Sequence, residues 1–585
     1  MWCRLWLRIF RAFVIVFHRR AAAIMTQVNQ HFFLSRSLPR TWLGFVLLLL
    51  ASGIALEAGT PRIFNVRDYG ASGRKEDDAQ QPIQKAIDAC AAAGGGTVLL
   101  PPGLYTSGTL HLRSHIRIEV AAGATLFASE DPKAYDCGPI PSKAALFFGE
   151  DLRDISFAGE GIVDGQAQYE WRLDDFEQNY DHKTWMESLG KSLLRSVPSG
   201  FPKREIYPHL VWLGRCNNIR FSGLNFLHAS SWSLTLYACR HVAFERLFIY
   251  TSLKEAVWAD GIDLDGCEDV TISNCAIETG DDCVALVSNN IWGPARGCEN
   301  IRITNCRFSS ASAGIKFSEG NRAGVRNIQV SHTLFNNVNR GVVFITAQGG
   351  SISDVTLSDL TINCSRFDWF WAGDGQPFRC RNYRWRELDP SAPEKGEAPP
   401  GAIRHLTMRN IVAQAKGSSF FYGHPENWLE DISLENVKLF VSTDPTAPYD
   451  KAEHALDFRR VRNLKLKEVE VVWREPSLAS WKSALNLEDV KRFELDGFIA
   501  GTAVAESGVP TVALQQVSGA VIRRCRAVEG TEIFLKIAGP ASQDIRLRGN
   551  DFSRAKIACQ VGDEVARGAV RGLGEAGRVP FPQKN

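Results

Sequence analysis

One short phrase returns along most of this chain, and it restricts the fold more than any other feature. It reads as a polar pair, then alternating apolar residues, then Asn or Gly, as in "NNIRFSGLNF", "EDVTISNCAI", "ENIRITNCRF", "SDVTLSDLTI" and "EDISLENVKL". Its first apolar residues are Ile219, Val242, Val270, Ile301, Ile328 and Val355, so successive gaps are 23, 28, 31, 27 and 27 residues. Strict alternation specifies strands. A period in the twenties specifies a solenoid built of stacked coils. The β-branched content and two-residue period disfavour helical repeats. The expected fold is all-β, a right-handed parallel β-helix in which Ile, Val and Leu of each coil rest on those of the next.

The ends and interruptions fit that expectation. "QQPIQKAIDACAAAGGG" (Gln80 to Gly96) is an Ala-rich helix with a Gly stop. It is placed to cap the open end of the solenoid, whose strand edges are otherwise exposed. Two stretches break the period, about Tyr169 to Tyr207 and Ser365 to Pro400. Both read as long loops on one coil, and loops on a rigid scaffold often carry binding surfaces. Closing one end of a groove with them would favour attack at chain ends.

The N-terminus reads as a leader. Arg36 and Arg40 precede an apolar run from Trp42 to about Ala51, then small residues up to Ala58. That is a secretory pattern, and the run is short for a membrane span. A start at Met25 makes the leader an ordinary one and sets residues 1–24 apart. The expected division is therefore 1–58 leader, 59–560 β-helix and 561–585 tail, with the mature chain secreted or periplasmic. A membrane partner follows only if the leader stays uncleaved. The 585 residues carry a formal net charge of +2, which gives no electrostatic reason to expect nucleic acid. A monomer is expected. The 14 cysteines include Cys275 and Cys306 inside strand phrases, where they read as small buried hydrophobes. No His/Cys group has zinc spacing, so no metal or cofactor is expected.

The chemistry concentrates in "ADGIDLDG" and "TGDDC". Asp260 lies two residues before Ile262 and Asp282 two before Val284, and the two aspartates are 22 residues apart, one short coil. They should stack on neighbouring coils about 5 Å apart, with Asp281 adjacent. Asp263 and Asp265 alternate outward from the same strand. Carboxylates converging on one face cannot all ionise without cost, and one is expected to hold a proton. A carboxylic acid beside a carboxylate is the pair that glycoside hydrolysis uses, one protonating the leaving oxygen and the other activating water.

These motifs, with "FNVRDYGASGRKEDDAQQPIQKAIDACAAAGGGTVLLPPGLYTSGTLHL" and "GIVDGQ", resemble the polygalacturonase-type glycoside hydrolases (family 28) of the pectin-lyase-like β-helix superfamily, over nearly the whole mature chain. The resemblance implies Asp281 as general acid, Asp260 and Asp282 as holders of the attacking water, and inversion at the sugar carbon. It also implies a pectin-type polysaccharide or oligosaccharide as partner.

The sequence departs from the family at three places. Trp258 replaces the Asn of Asn-x-Asp, Ala313 replaces the His of Gly-His-Gly, and Val343, Phe344 and Ile345 replace Arg-Ile-Lys. That Arg and Lys grip a uronate carboxylate in the family, so a substrate other than plain polygalacturonate is expected. Lys316 should point outward near the carboxylates and replace the lost cation. Trp232, Trp258, Trp369, Trp371, Trp385 and Trp428 are candidates for sugar contact, with Arg379, Arg381, Arg384 and Arg386 nearby; His424 reads as structural. The expected substrate contacts are Lys316, Trp258, Asp263, Trp371 and Arg340. Two other classes stay open: a polysaccharide lyase of the same fold, with Arg340 or Lys316 as base, and a noncatalytic glycan-binding β-helix.

Overall fold

A computed structural model describes residues 62–572 apart from 137, 168–206, 255, 257, 319, 368–374, 389–396, 444–452, 476–477 and 505–506. The leader, most of the first long loop, Trp369 and Trp371 lie outside the described residues.

Each coil lays down three strands, and each strand pairs in parallel with its counterparts one coil before and after. One coil runs His209–Gly214, Asn217–Ser222, Asn225–Leu227, and the next runs Leu234–Tyr237, Arg240–Glu245, Phe248–Tyr250. Register across coils joins Ile219 to Val242, Val242 to Val270, Val270 to Ile301, Ile301 to Ile328 and Ile328 to Val355. This is the stack that the repeat implies, and the chain is a right-handed parallel β-helix. Inside it, Phe157, Phe221 and Phe244 lie face to face with centroids 4.7 and 4.9 Å apart.

The polar positions of the repeat have a backbone cause. Asn218, Asp269, Asn300, Asn327 and Asn463 open second-column strands, and Asn274, Asn305, Asn410 and Asn436 turn the corner to the third. All have φ between 52° and 58°. Asn and Asp tolerate this left-handed conformation better than other side chains. They also bond along the axis: Asn327 Nδ2 donates to Asn300 Oδ1 at 2.7 Å, and Asn300 Nδ2 to Asp269 Oδ1 at 3.0 Å.

The helix Gln80–Ala92 packs on the first strands and buries Ile83, Ala86, Ile87 and Cys90. Cys275, Cys306 and the ten other described cysteines are buried and free. At the far end, Val570–Arg571 still pairs with Gln543–Arg548, so the ladder runs past residue 560, where the sequence reading ended it.

One sequence reading needs correction. Ser365 to Pro400 is not a single loop: Gln376–Asn382 is a full strand of the first column, paired to Arg340–Thr346 and then to Ser419–Tyr422. Its alternation is present, with Phe378 and Cys380 buried. The intervening Arg379 and Arg381 masked it by making the segment look like polar loop.

Candidate active site

The first column carries the acidic cluster. Register pairs Ile262 with Val284 and Val284 with Ile315. This places Asp260 beside Asp282, and the Asp282 N–H donates to Asp260 Oδ1 at 2.7 Å. The Ala313 N–H on the next coil donates to Asp282 Oδ1 at 3.0 Å. Asp260, Asp281 and Asp282 each offer an oxygen within 4.8 Å of the others, and all three are buried. A divalent cation would also fit such an oxygen set by its donor chemistry.

The turn before the cluster is fixed by backbone packing. A Cβ on Gly280 would meet the Ala256 carbonyl at 2.2 Å, so only glycine lets the chain approach there. The carbonyl of Asp281 accepts from Thr279 Oγ1 at 2.8 Å and from Ser310 Oγ at 2.6 Å, locking the peptide that separates the two aspartates.

Asp281 and Asp282 have different surroundings. Asp282 Oδ2 faces Lys316 Nζ at 3.4 Å and its Oδ1 takes the Ala313 N–H. These are the contacts an anionic carboxylate requires. Asp281 Oδ1 is buried without a hydrogen-bond partner. Burial, then the charges of Asp260 and Asp282, hold the Asp281 carboxyl well above the usual carboxylate range. Burial likewise raises Asp260 and Asp263. Asp263 Oδ2 is buried without a hydrogen-bond partner.

Asp265 stands next along the strand, between Tyr237 and Val287 in register. Its Oδ1 takes the Asn289 N–H at 2.8 Å, and burial pushes its carboxyl up to about 6. The folded chain therefore holds a proton there that the unfolded chain releases near pH 4. The resulting stability is complete below about pH 4 and is lost as pH rises through about 6. Asp265→Asn removes the ionisation and is expected to raise stability at pH 7–8 by up to about 3 kcal/mol, with no gain below about pH 4. Urea titrations of both proteins at pH 4 and pH 7.5 measure the difference.

The other sequence candidates fall in several places. Lys316 reaches the carboxylates as expected. Trp258, half-buried, meets Tyr207 edge-on at 6.3 Å, two residues before Asp260. Arg340 is half-buried and stacks in register on Ala313. Trp232 packs with Trp212, Tyr237 and Trp292. Trp428 lies between Arg462 and Lys491 of the second column, away from the strand column that carries the carboxylates. His424 bonds Glu387 at 3.0 Å and closes its own loop. Three of the positions that depart from the family, Ala313, Val343 and Ile345, form one apolar patch outside the main core with Ala347, Tyr383 and Trp385.

Known proteins resemble this chain in sequence and in fold. The family model described as "Glycosyl hydrolases family 28" matches residues 90–366. A "Probable polygalacturonase" of Vitis vinifera is 24% identical over 398 residues, covering 64% of this chain and 74% of its own length. The matches to two "Exopolygalacturonase" chains of Zea mays, 25% identical and covering 40% of this chain, span only about half of those proteins, 52% and 50%. Among solved structures, a family 28 exopolygalacturonase of Yersinia enterocolitica superposes with a TM-score of 0.58 at 19% identity, covering 75% of this chain and 79% of that one. A hyperthermoactive exopolygalacturonase of Thermotoga maritima gives 0.54 at 20% identity, covering 70% and 92%. These structural likenesses show the fold.

Proposed function

We propose that the chain belongs to glycoside hydrolase family 28, whose model matches residues 90–366, and that it is a secreted or periplasmic monomer that hydrolyses a pectin-type polysaccharide. In this proposal Asp281 is the general acid. Asp260 and Asp282 hold and activate the water, and the anomeric centre inverts. The contrast between two adjacent carboxyls carries the assignment. Asp281 is buried with an unpartnered oxygen and retains its proton, whereas Asp282 faces Lys316 and a backbone N–H. Environments that push two neighbouring carboxyls apart assign acid and base.

Lys316 then serves twice. It supports the Asp282 carboxylate and supplies a positive charge to the substrate. Trp258 and Asp263 border the same site, and Arg340 stands on the next coil. The apolar patch at Ala313, Val343 and Ile345 supports a sugar beside the scissile bond other than a plain galacturonate, because a carboxylate buried against it has no cation.

Product analysis tests the proposal. Residues 59–585 are incubated with homogalacturonan, rhamnogalacturonan and pectic side-chain oligosaccharides, and products are read by mass spectrometry. Products heavier by one water, formed equally in EDTA, are expected, most abundantly from a glycan other than homogalacturonan. Unsaturated products would replace hydrolysis with elimination. The carboxyl spacing lies nearer to the range of about 5–5.5 Å found where a carboxylate attacks directly. The anomeric form of the first product, followed by NMR, therefore decides the stereochemistry: retention would make Asp282 or Asp260 the nucleophile.

A further inference from the structure

Arg379 and Arg381 form a site of their own. Both point outward from the strand Gln376–Asn382, two residues apart and hence on one face. Register sets Arg379 directly over Val343 and Arg381 directly over Ile345. The family's two cations are thus absent from one coil, and two guanidiniums occupy the same two columns on the next. Along the Arg379 column the order is Asp263, Ala285, Lys316, Val343, Arg379. Arg379 is two rungs, or about 10 Å, beyond Lys316.

Among the described residues these two arginines have no acidic partner, unlike their neighbours. Arg459, one coil further along the Arg381 column than Tyr422, bonds Asp457 at 2.8 Å and faces Glu488 at 3.6 Å. Arg384 pairs with Glu426. Arg379 lies between Val343 and Phe420, with its Cζ 5.7 Å from the Phe420 ring, and its Nε is buried without an acceptor. Arg381 lies between Ile345 and Tyr422 and stacks 4.2 Å over Tyr383. Among the described residues no carboxylate reaches either one. A half-buried guanidinium that is held in place by aromatic rings and left without an anion is costly unless a ligand supplies one. Its planar fork matches a carboxylate.

We propose that Arg379 and Arg381 bind the carboxylate of a uronate residue of the glycan, at a position about two sugars along the chain from the residue beside Lys316. The apolar patch of Val343 and Ile345 separates the two charged positions. Specificity in this groove then requires an acidic sugar at a distance from the cut and tolerates a neutral one next to it. The proposal takes from the preceding section only that the groove holds a polysaccharide.

The test is binding rather than turnover, so it does not depend on the hydrolysis assignment. In an Asp281→Asn background, calorimetry compares tetragalacturonic acid with its carboxyl-reduced counterpart. The acidic probe is expected to bind at least about tenfold more tightly, the worth of a charge-assisted hydrogen bond. Arg379→Gln with Arg381→Gln should lower that preference at least about fivefold, leaving what Lys316 contributes, and leave the affinity for the reduced probe unchanged. Arg379→Lys with Arg381→Lys, which keeps the charge and loses the fork, should retain more of it. Equal losses for both probes would show a packing role and overturn the proposal. So would an unchanged acid preference, or no acid preference in the parent. An acid preference so lowered in the double variant of a protein that cuts no glycan would uphold this site and refute the hydrolysis.

Discussion

Asp281→Asn is expected to lower kcat/KM by about 10²–10⁴-fold, the contribution of a positioned general acid, while glycan affinity changes by less than about twofold. The substitution keeps the shape and the main-chain bonds that fix this turn, since Thr279 and Ser310 hold the Asp281 carbonyl rather than its side chain. It removes only the transferable proton. Asp281 already stands raised by burial and by its acidic neighbours, so in wild type the alkaline limb of the pH–rate profile should report its ionisation. In Asp281→Asn that limb should flatten. A substrate with a good leaving group, which needs little protonation, should recover much of the lost rate. Loss of binding in parallel with turnover would assign Asp281 a structural role, and full activity would move the acid elsewhere.

Phe244→Ala is expected to destabilise the protein by about 3–5 kcal/mol, as large-to-small changes of buried aromatics do. Phe244 is fully buried, stacks at 4.9 Å on Phe221 and meets Ile272 on the next coil. In a solenoid each coil contacts only its neighbours. The loss should therefore be local. Hydrogen exchange should accelerate in Asn217–Ser222 and Glu268–Ser273 and stay unchanged in Leu485–Asp496. Urea denaturation followed by exchange mass spectrometry measures both. Uniform loss of protection would mean that the whole helix unfolds as a single cooperative unit.

Much of this architecture was legible because its cause is local. The alternation of Val270, Ile272 and Ile301, Ile303 fixes which side chains face inward, and Asn at the corners marks where the backbone must turn left-handed. Asp260 and Asp282 were placed together because counting back two residues from Ile262 and Val284 suffices when strands stack in register. Lys316 followed from the same count. The count failed where side chains obscure the period. "QPFRCRN" alternates as strictly as any other strand, but its outward residues are arginines within a Trp- and Pro-rich stretch. The pairing of Arg379 with Val343 depends on two segments 36 residues apart, longer than the gaps of 23 to 31 residues between the repeat phrases from Ile219 to Val355. Trp232 and Trp428 were misleading for a different reason. An indole gives the same sequence signal whether it packs against protein or sugar, and only the neighbours decide.

In-register stacking has one further consequence. Because every coil advances the same distance and keeps its columns, the outer face works as a ruler with fixed divisions, close to the length of a sugar residue. A charge moved from one division to the next changes which monomer of the polymer is read. The divisions that bear Asp260 and Asp282 are untouched by such a move. Under the proposed function, recognition can thus be re-spaced one mark at a time while the proposed site of cleavage stays where it is.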